Sequence, residues 1–234
     1  MENSLEQSPE KRKLSISIFI PLMFVVLLWL VFIIQWSTRA DFYKYGILPR
    51  HVSGLAGIVF TPFIHGSWDH LFSNSIPLLI LGSVMIYFYR DIAYKVFLWI
   101  WLADGLGVWL FAREEYHIGA SGLVYGMVGF VFFSGILRRN RKLLALSLVI
   151  IFLYGSIIWG ILPFLIDISW EAHLFGLLAG IFFSVYYLHR GPSDDPVPEW
   201  MEEVDEDHDQ EHPPDTIQMN TDFLPEKEEK DNEL

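Results

Sequence analysis

Gly119-Ala120-Ser121-Gly122-Leu123-Val124-Tyr125-Gly126 opens an apolar run that continues to Leu137. A serine between glycines is common in loops. A serine between glycines at the mouth of a segment long enough to cross a bilayer is not. A second apolar run carries Ala172-His173, then Gly176 and Gly180. A hydroxyl becomes a useful nucleophile only beside a base, and small residues let two membrane helices approach closely. The two runs therefore supply a nucleophile, a base and the means of bringing them together inside a membrane.

Composition agrees with a membrane setting. The chain has 234 residues, 53% of them hydrophobic and 16% aromatic, too apolar for an ordinary soluble domain. It has no cysteine, which excludes disulfides and thiolate metal sites. The net charge of −12 is unevenly placed: 17 of the 28 acidic residues and only two lysines lie after Arg190. The remainder is mildly basic, and no basic patch points to nucleic acid. Three parts follow: a polar segment 1–13, a membrane domain 14–190 and an acidic tail 191–234. The tail is rich in Pro, Asp and Glu, and has too little apolar surface to fold alone.

Apolar runs predict six spanning helices over residues 14–36, 71–89, 93–111, 121–137, 143–162 and 171–188, each long enough for a hydrocarbon core of about 30 Å. The fourth and sixth are short and glycine-bearing, so they belong inside the bundle. Residues 37–70 are broken by Pro49, Gly54, Gly57, Pro62 and Gly66. They read as a loop with short helices, partly embedded but packed on protein rather than lipid. Short basic loops put Lys11-Arg12-Lys13, Arg90, Lys95, Arg138, Arg139, Arg141, Lys142 and Arg190 on one side of the membrane. Arg39, Lys44, Arg50 and Arg113 fall on the other. The richer side is cytoplasmic, so both termini are cytoplasmic. Ser121, His173 and His70 then share one depth near the outer surface. Glu2, Glu6 and Glu10 argue against a mitochondrial transit peptide, and a bacterial plasma membrane is the expected location.

The chemistry-bearing residues each have a plainer reading. An intramembrane serine often bonds back to a helix carbonyl, and a histidine can simply bridge helices. Ser121, however, starts its helix, where free N–H groups and the positive dipole end favour a developing oxyanion. His173 titrates near neutral pH in its ordinary state, as a general base requires. Tyr125, four residues after Ser121, shares its face and can pack on the imidazole; an ordinary buried aromatic is the alternative. His65, His70 and Asn74 sit at the entry to the second span. His70 and Asn74 share a helix face and can supply oxyanion donors with the Ser121 N–H. A metal site of His65, Asp69 and His70 is disfavoured, because that spacing matches no ligand pattern. Glu171 and Asp167 read as loop charges, which leaves a Ser–His dyad without a carboxylate. Asp104, in the third span, reads as structural, with a proton path as the minor alternative.

These elements resemble the rhomboid family of intramembrane serine proteases. The Gly-x-Ser-Gly element is Gly119, Ser121 and Gly122, with Tyr125 following. The His-x4-His-x3-Asn element is His65, His70 and Asn74, and the Ala-His-x2-Gly-x3-Gly element is Ala172, His173, Gly176 and Gly180. The resemblance spans residues 14–189 and implies an all-α, six-helix membrane bundle. It implies Ser121 as nucleophile, His173 as base, and His70, Asn74 and the Ser121 amide as the oxyanion hole. His65 is then a structural residue of the first loop. It also implies no metal or cofactor, and substrates that are single-span membrane proteins cut where the helix unwinds easily. Many members carry a Trp-Arg pair upstream of the His element; here the aligned stretch is Ala56-Gly57-Ile58-Val59. Residues 162–170, with Phe164 and Trp170, are the expected movable cap. Two rivals from other classes are a non-catalytic membrane chaperone that binds client helices and a proton-coupled transporter using His70, His173 and Asp104.

Overall fold

The computed structural model describes residues 9–153, 160–163 and 168–192. The expected tail from residue 193 onward, the polar start before Pro9 and the cap residues 164–167 lie outside them. Seven α-helices are described: α1 Pro9–Thr38, α2 Gly57–Phe60, α3 Trp68–Phe88, α4 Ala93–Phe111, α5 Ser121–Leu137, α6 Arg141–Leu153 and α7 Trp170–Tyr186. Among the described residues there is no strand, only an isolated antiparallel bridge between Ile47 and His117. Helices α1, α3 and α4 are each long and apolar enough to cross a membrane, and α5 and α7 are shorter apolar helices.

Burial sorts these helices by position. Every residue of α5 from Gly122 to Val131 is buried. A helix apolar on all sides is stable only when surrounded, which makes α5 the centre. Helix α1 is the opposite case. Leu14, Phe19, Leu22, Val26, Leu30 and Ile33 are exposed along one side, the arrangement lipid favours. Its 30 residues extend about 45 Å at 1.5 Å per residue, beyond what a bilayer core requires. It packs on α3 through Trp29, whose Nε1 donates to Ser75 Oγ at 3.0 Å, and through edge-on contacts of Trp29 with Phe72 and Phe32 with Trp68.

Helix α5 packs most extensively on α7. The contact is backbone on backbone. A Cβ at Gly176 would collide with the Gly122 carbonyl, and one at Gly180 with the Gly126 carbonyl. At the far end Arg138, just past α5, donates from Nε to Ser134 Oγ at 3.0 Å and from Nη2 to the Tyr187 and Arg190 carbonyls, each at 2.6 Å. A guanidinium just past the end of a helix complements the negative end of its dipole. Arg138 thus fixes the axial register of α7 against α5.

Residues 39–67 contain α2 and 3-10 turns at Tyr43–Tyr45, Val52–Gly54 and Thr61–Phe63. Where the expected Trp-Arg pair is absent, Trp101 of α4 donates to the Ile58 carbonyl at 2.7 Å and ties this stretch to the bundle. The fifth expected span does not run to residue 162. Helix α6 is described as far as Leu153, and Gly160–Leu162 is turn rather than helix. The cause is local: glycine is a poor helix former, and the residue before Pro163 is driven out of the helical region.

The close α5–α7 contact yields a stability prediction. Gly180→Val forces backbone apart and should lower unfolding free energy in mild detergent by about 1–3 kcal/mol. Gly66→Ala, where a Cβ would meet only Ile118 at 3.6 Å, serves as the comparison. Equal stability of Gly180→Val and wild type in a denaturant titration would contradict the packing described.

Candidate active site

The site forms where the starts of α3, α5 and α7 meet. Ser121 is the first residue of α5 and His173 lies in the first turn of α7. Ser121 Oγ is 2.8 Å from His173 Nε2. His173 Nδ1 is 2.7 Å from the carbonyl of Gly160. A carbonyl only accepts, so Nδ1 carries the ring proton in the neutral form. Nε2 is then the lone-pair nitrogen and the serine O–H donates to it. That tautomer is the one from which an imidazole can take the hydroxyl proton. Tyr125, one turn along α5, stacks on the imidazole with centroids 4.1 Å apart and planes at 8°. The ring is therefore held by a hydrogen bond at each nitrogen and an aromatic face.

Gly119 precedes the serine with φ +107°, a conformation that side chains rarely adopt. Its N–H donates to the Thr61 carbonyl at 3.0 Å. A Cβ there would stand 2.6 Å from His70 Cε1 and 3.8 Å from Asn74 Nδ2, so both side chains lie over this backbone. Asn74 is buried, and its Nδ2 has no hydrogen-bond partner among the described residues. It is a donor without a partner, beside the backbone of Gly119. The N-terminus of α3 is held by the Ser67 hydroxyl, which accepts from the His70 N–H at 3.1 Å. His65 is fully buried, its ring edge-on to His70 at 5.0 Å, and neither of its nitrogens has a partner among the described residues.

The structure thus gathers Ser121, His173, Tyr125, Gly119, His70, Asn74 and His65 at one end of the bundle. Gly122, Gly176 and Gly180 lie in the helix contact beneath. Asp104 of α4 packs directly against Gly122, and its Oδ1 is buried without a partner among the described residues. No metal-binding group of three or more His, Asp or Glu side chains occurs among the described residues.

Two features escape a reading of the sequence. Gly160 contributes a main-chain carbonyl, which has no side-chain signal; only tertiary packing brings it to the imidazole. Glu171 is not a loop charge. It is 3% exposed, lies in the first turn of α7, and accepts from the Arg113 N–H at 3.3 Å, with Arg113 Nε 3.8 Å from the same carboxylate oxygen. The reason is favourable electrostatics at a helix N-terminus with an arginine facing it. Asp167 lies outside the described residues.

Residues 52–190 match the Rhomboid domain. The uncharacterized protein Rv1337 of Mycobacterium tuberculosis is 37% identical over 173 residues, covering 68% of this chain and 70% of its own length. The uncharacterized protein ML1171 of Mycobacterium leprae is 32% identical over 174 residues, covering 68% and 67%. YdcA of Bacillus subtilis, which carries a provisional name as a rhomboid protease, is 26% identical over 170 residues, covering 67% and 81%. The chain belongs to the rhomboid family.

The ring's surroundings can be tested directly. A Cβ at Gly160 would collide with the Tyr125 hydroxyl and stand 2.9 Å from His173 Nδ1. Gly160→Ala should therefore lower reactivity at Ser121 by about tenfold or more, near 1.4 kcal/mol in barrier. Tyr125→Phe keeps the stacked ring and should react as wild type. The check is the second-order labelling rate with a fluorophosphonate; unchanged labelling of Gly160→Ala would remove the carbonyl from the site.

Proposed function

We propose that this chain is an intramembrane serine endopeptidase that cleaves transmembrane protein substrates through a Ser121–His173 dyad. One observation carries the reading: the serine oxygen stands 2.8 Å from an imidazole nitrogen whose partner atom, Nδ1, is committed to a carbonyl. A structural interhelical hydrogen bond would need only the first contact. The stacked Tyr125, the free Asn74 donor and the start of a helix at the serine supply the remaining requirements of acyl transfer.

In the proposed reaction Ser121 Oγ attacks a peptide carbonyl while His173 Nε2 takes its proton. Charge developing on the carbonyl oxygen is met by the Ser121 N–H, His70 and Asn74. The imidazolium then protonates the leaving amine. Water adds to the ester carbonyl while His173 takes its proton; the C–Oγ bond then breaks, the new carboxyl terminus leaves, and the imidazolium returns the proton to Ser121 Oγ. The reaction uses no metal or cofactor. His65 supports His70 from beneath.

The accompanying topology is six spanning helices with the first loop partly embedded, both termini cytoplasmic, and the active site facing the outer side of a bacterial plasma membrane. Residues 191–234 form a separate acidic cytoplasmic tail, and residues 1–13 a short cytoplasmic lead. The membrane domain occupies 14–190. Basic residues on the short connectors support this orientation. A client-binding chaperone would have no use for the committed tautomer at His173.

Purified protein in detergent should be tagged by a fluorophosphonate, and Ser121→Ala or His173→Ala should abolish the tag. Asn74→Ala should retain tagging but lower cleavage of a reconstituted single-span substrate about 100-fold, as loss of one oxyanion donor does. Robust tagging of Ser121→Ala would reject the nucleophile.

A further inference from the structure

His117 joins three segments that must stay in register for the site to exist. Its N–H donates to the Ile47 carbonyl at 2.9 Å, and its own carbonyl accepts from the Ile47 N–H at 3.0 Å and the Thr61 hydroxyl at 3.1 Å. These backbone bonds fasten the α4–α5 connector to the first loop. The side chain has another partner. Its Nε2 is 3.1 Å from the Arg113 carbonyl and its Nδ1 is 2.6 Å from Ser169 Oγ. The carbonyl only accepts, so Nε2 bears the proton and Nδ1 accepts from the Ser169 hydroxyl. Burial holds this ring below the ordinary histidine range, opposed by the Arg113 carbonyl bond and the carboxylates of Glu171 and Glu115, with the Arg113 charge adding to the lowering. The neutral tautomer is the one the two contacts require.

Ser169 immediately precedes α7, and His117 lies four residues before Ser121. The short bond therefore links the connector that ends in the serine to the helix start that carries His173. A second strut runs alongside it: Arg113 Nη2 donates to the Ile168 carbonyl at 2.9 Å, and Arg113 N–H to Glu171 at 3.3 Å. His117 is 2% exposed, so solvent does not compete for these bonds.

We propose that His117 is a positioning residue that sets the Ser121–His173 distance through its bond to Ser169. The inference rests on the hydrolytic reading for its kinetic consequences, but its geometric content does not. A misplacement of about 1 Å at a reacting pair is enough to lower a rate about 100-fold. His117→Ala leaves all three backbone bonds of residue 117 in place and removes only the ring. The effect of the ring is thereby separated from the folding of the connector.

The test combines kinetics with a chemistry-free distance readout. His117→Ala and Ser169→Ala should each lower the fluorophosphonate labelling rate and kcat on a single-span substrate by about 10- to 100-fold, with KM and thermal unfolding near wild type. The double variant should be no slower than either single one. His117→Asn should recover most of the rate, because its Oδ1 stands in for Nδ1. The chain has no cysteine, so Ser121→Cys with His173→Cys can be joined by a short bifunctional methanethiosulfonate. Joining should slow markedly when His117→Ala is added. Unchanged joining, or losses that multiply in the double variant, overturn the proposal. If wild type itself resists the fluorophosphonate while joining still depends on His117, the hydrolytic reading fails and the positioning role stands.

Discussion

The site depends on one packing constraint: α5 and α7 touch along glycines. Gly122 faces Gly176, and Gly126 faces Gly180, with carbonyl oxygen where a side chain would otherwise begin. In lipid there is little hydrophobic drive for helices to associate, so close van der Waals contact and polar links must do it. That contact sets the interaxial distance. The interaxial distance in turn decides whether a short hydroxyl side chain on one helix can reach an imidazole on the next. Serine has no length to spare. A separation suited to Leu or Phe at the interface would put the two groups out of hydrogen-bond range.

Polar groups at the other end of the same helix pair complete the constraint. Arg138, at the end of α5, holds the carbonyls of Tyr187 and Arg190 just past α7. Glycine contacts fix how near the helices lie, but they allow sliding. A multiply bonded guanidinium opposes sliding, because moving one helix past the other would break several hydrogen bonds at once. Spacing and register are thus set by different chemistry at different depths.

Much of this was legible from residue types. The bounds of α4 and α5 follow from apolar runs and their flanks, and Ser121, His173 and Tyr125 were legible as a set because helical spacing puts Ser121 and Tyr125 on one face. The turn at Gly160–Leu162 was not: hydropathy continues through Gly160 and Ile161, while Pro163 and glycine decide the backbone there. Glu171 was misjudged, because a charge near a helix start is usually solvated and only the fold shows Arg113 across from it. Gly160 left no trace at all, since its contribution is a peptide carbonyl. His117 stood in plain view beside the serine element, but its partner Ser169 lies 52 residues on. Side-chain pairs that distant have no period to reveal them.

The Gly160 carbonyl has a consequence for how this pair can be altered. Where a carboxylate orients the imidazole, it brings a full negative charge, and burying that charge away from water is expensive. A peptide carbonyl offers a dipole instead. It steadies the ring and selects the tautomer without asking the membrane interior to hold an anion beside the base. It also resists mutational loss: any residue at position 160 still has a carbonyl, so the third partner can be displaced but never deleted.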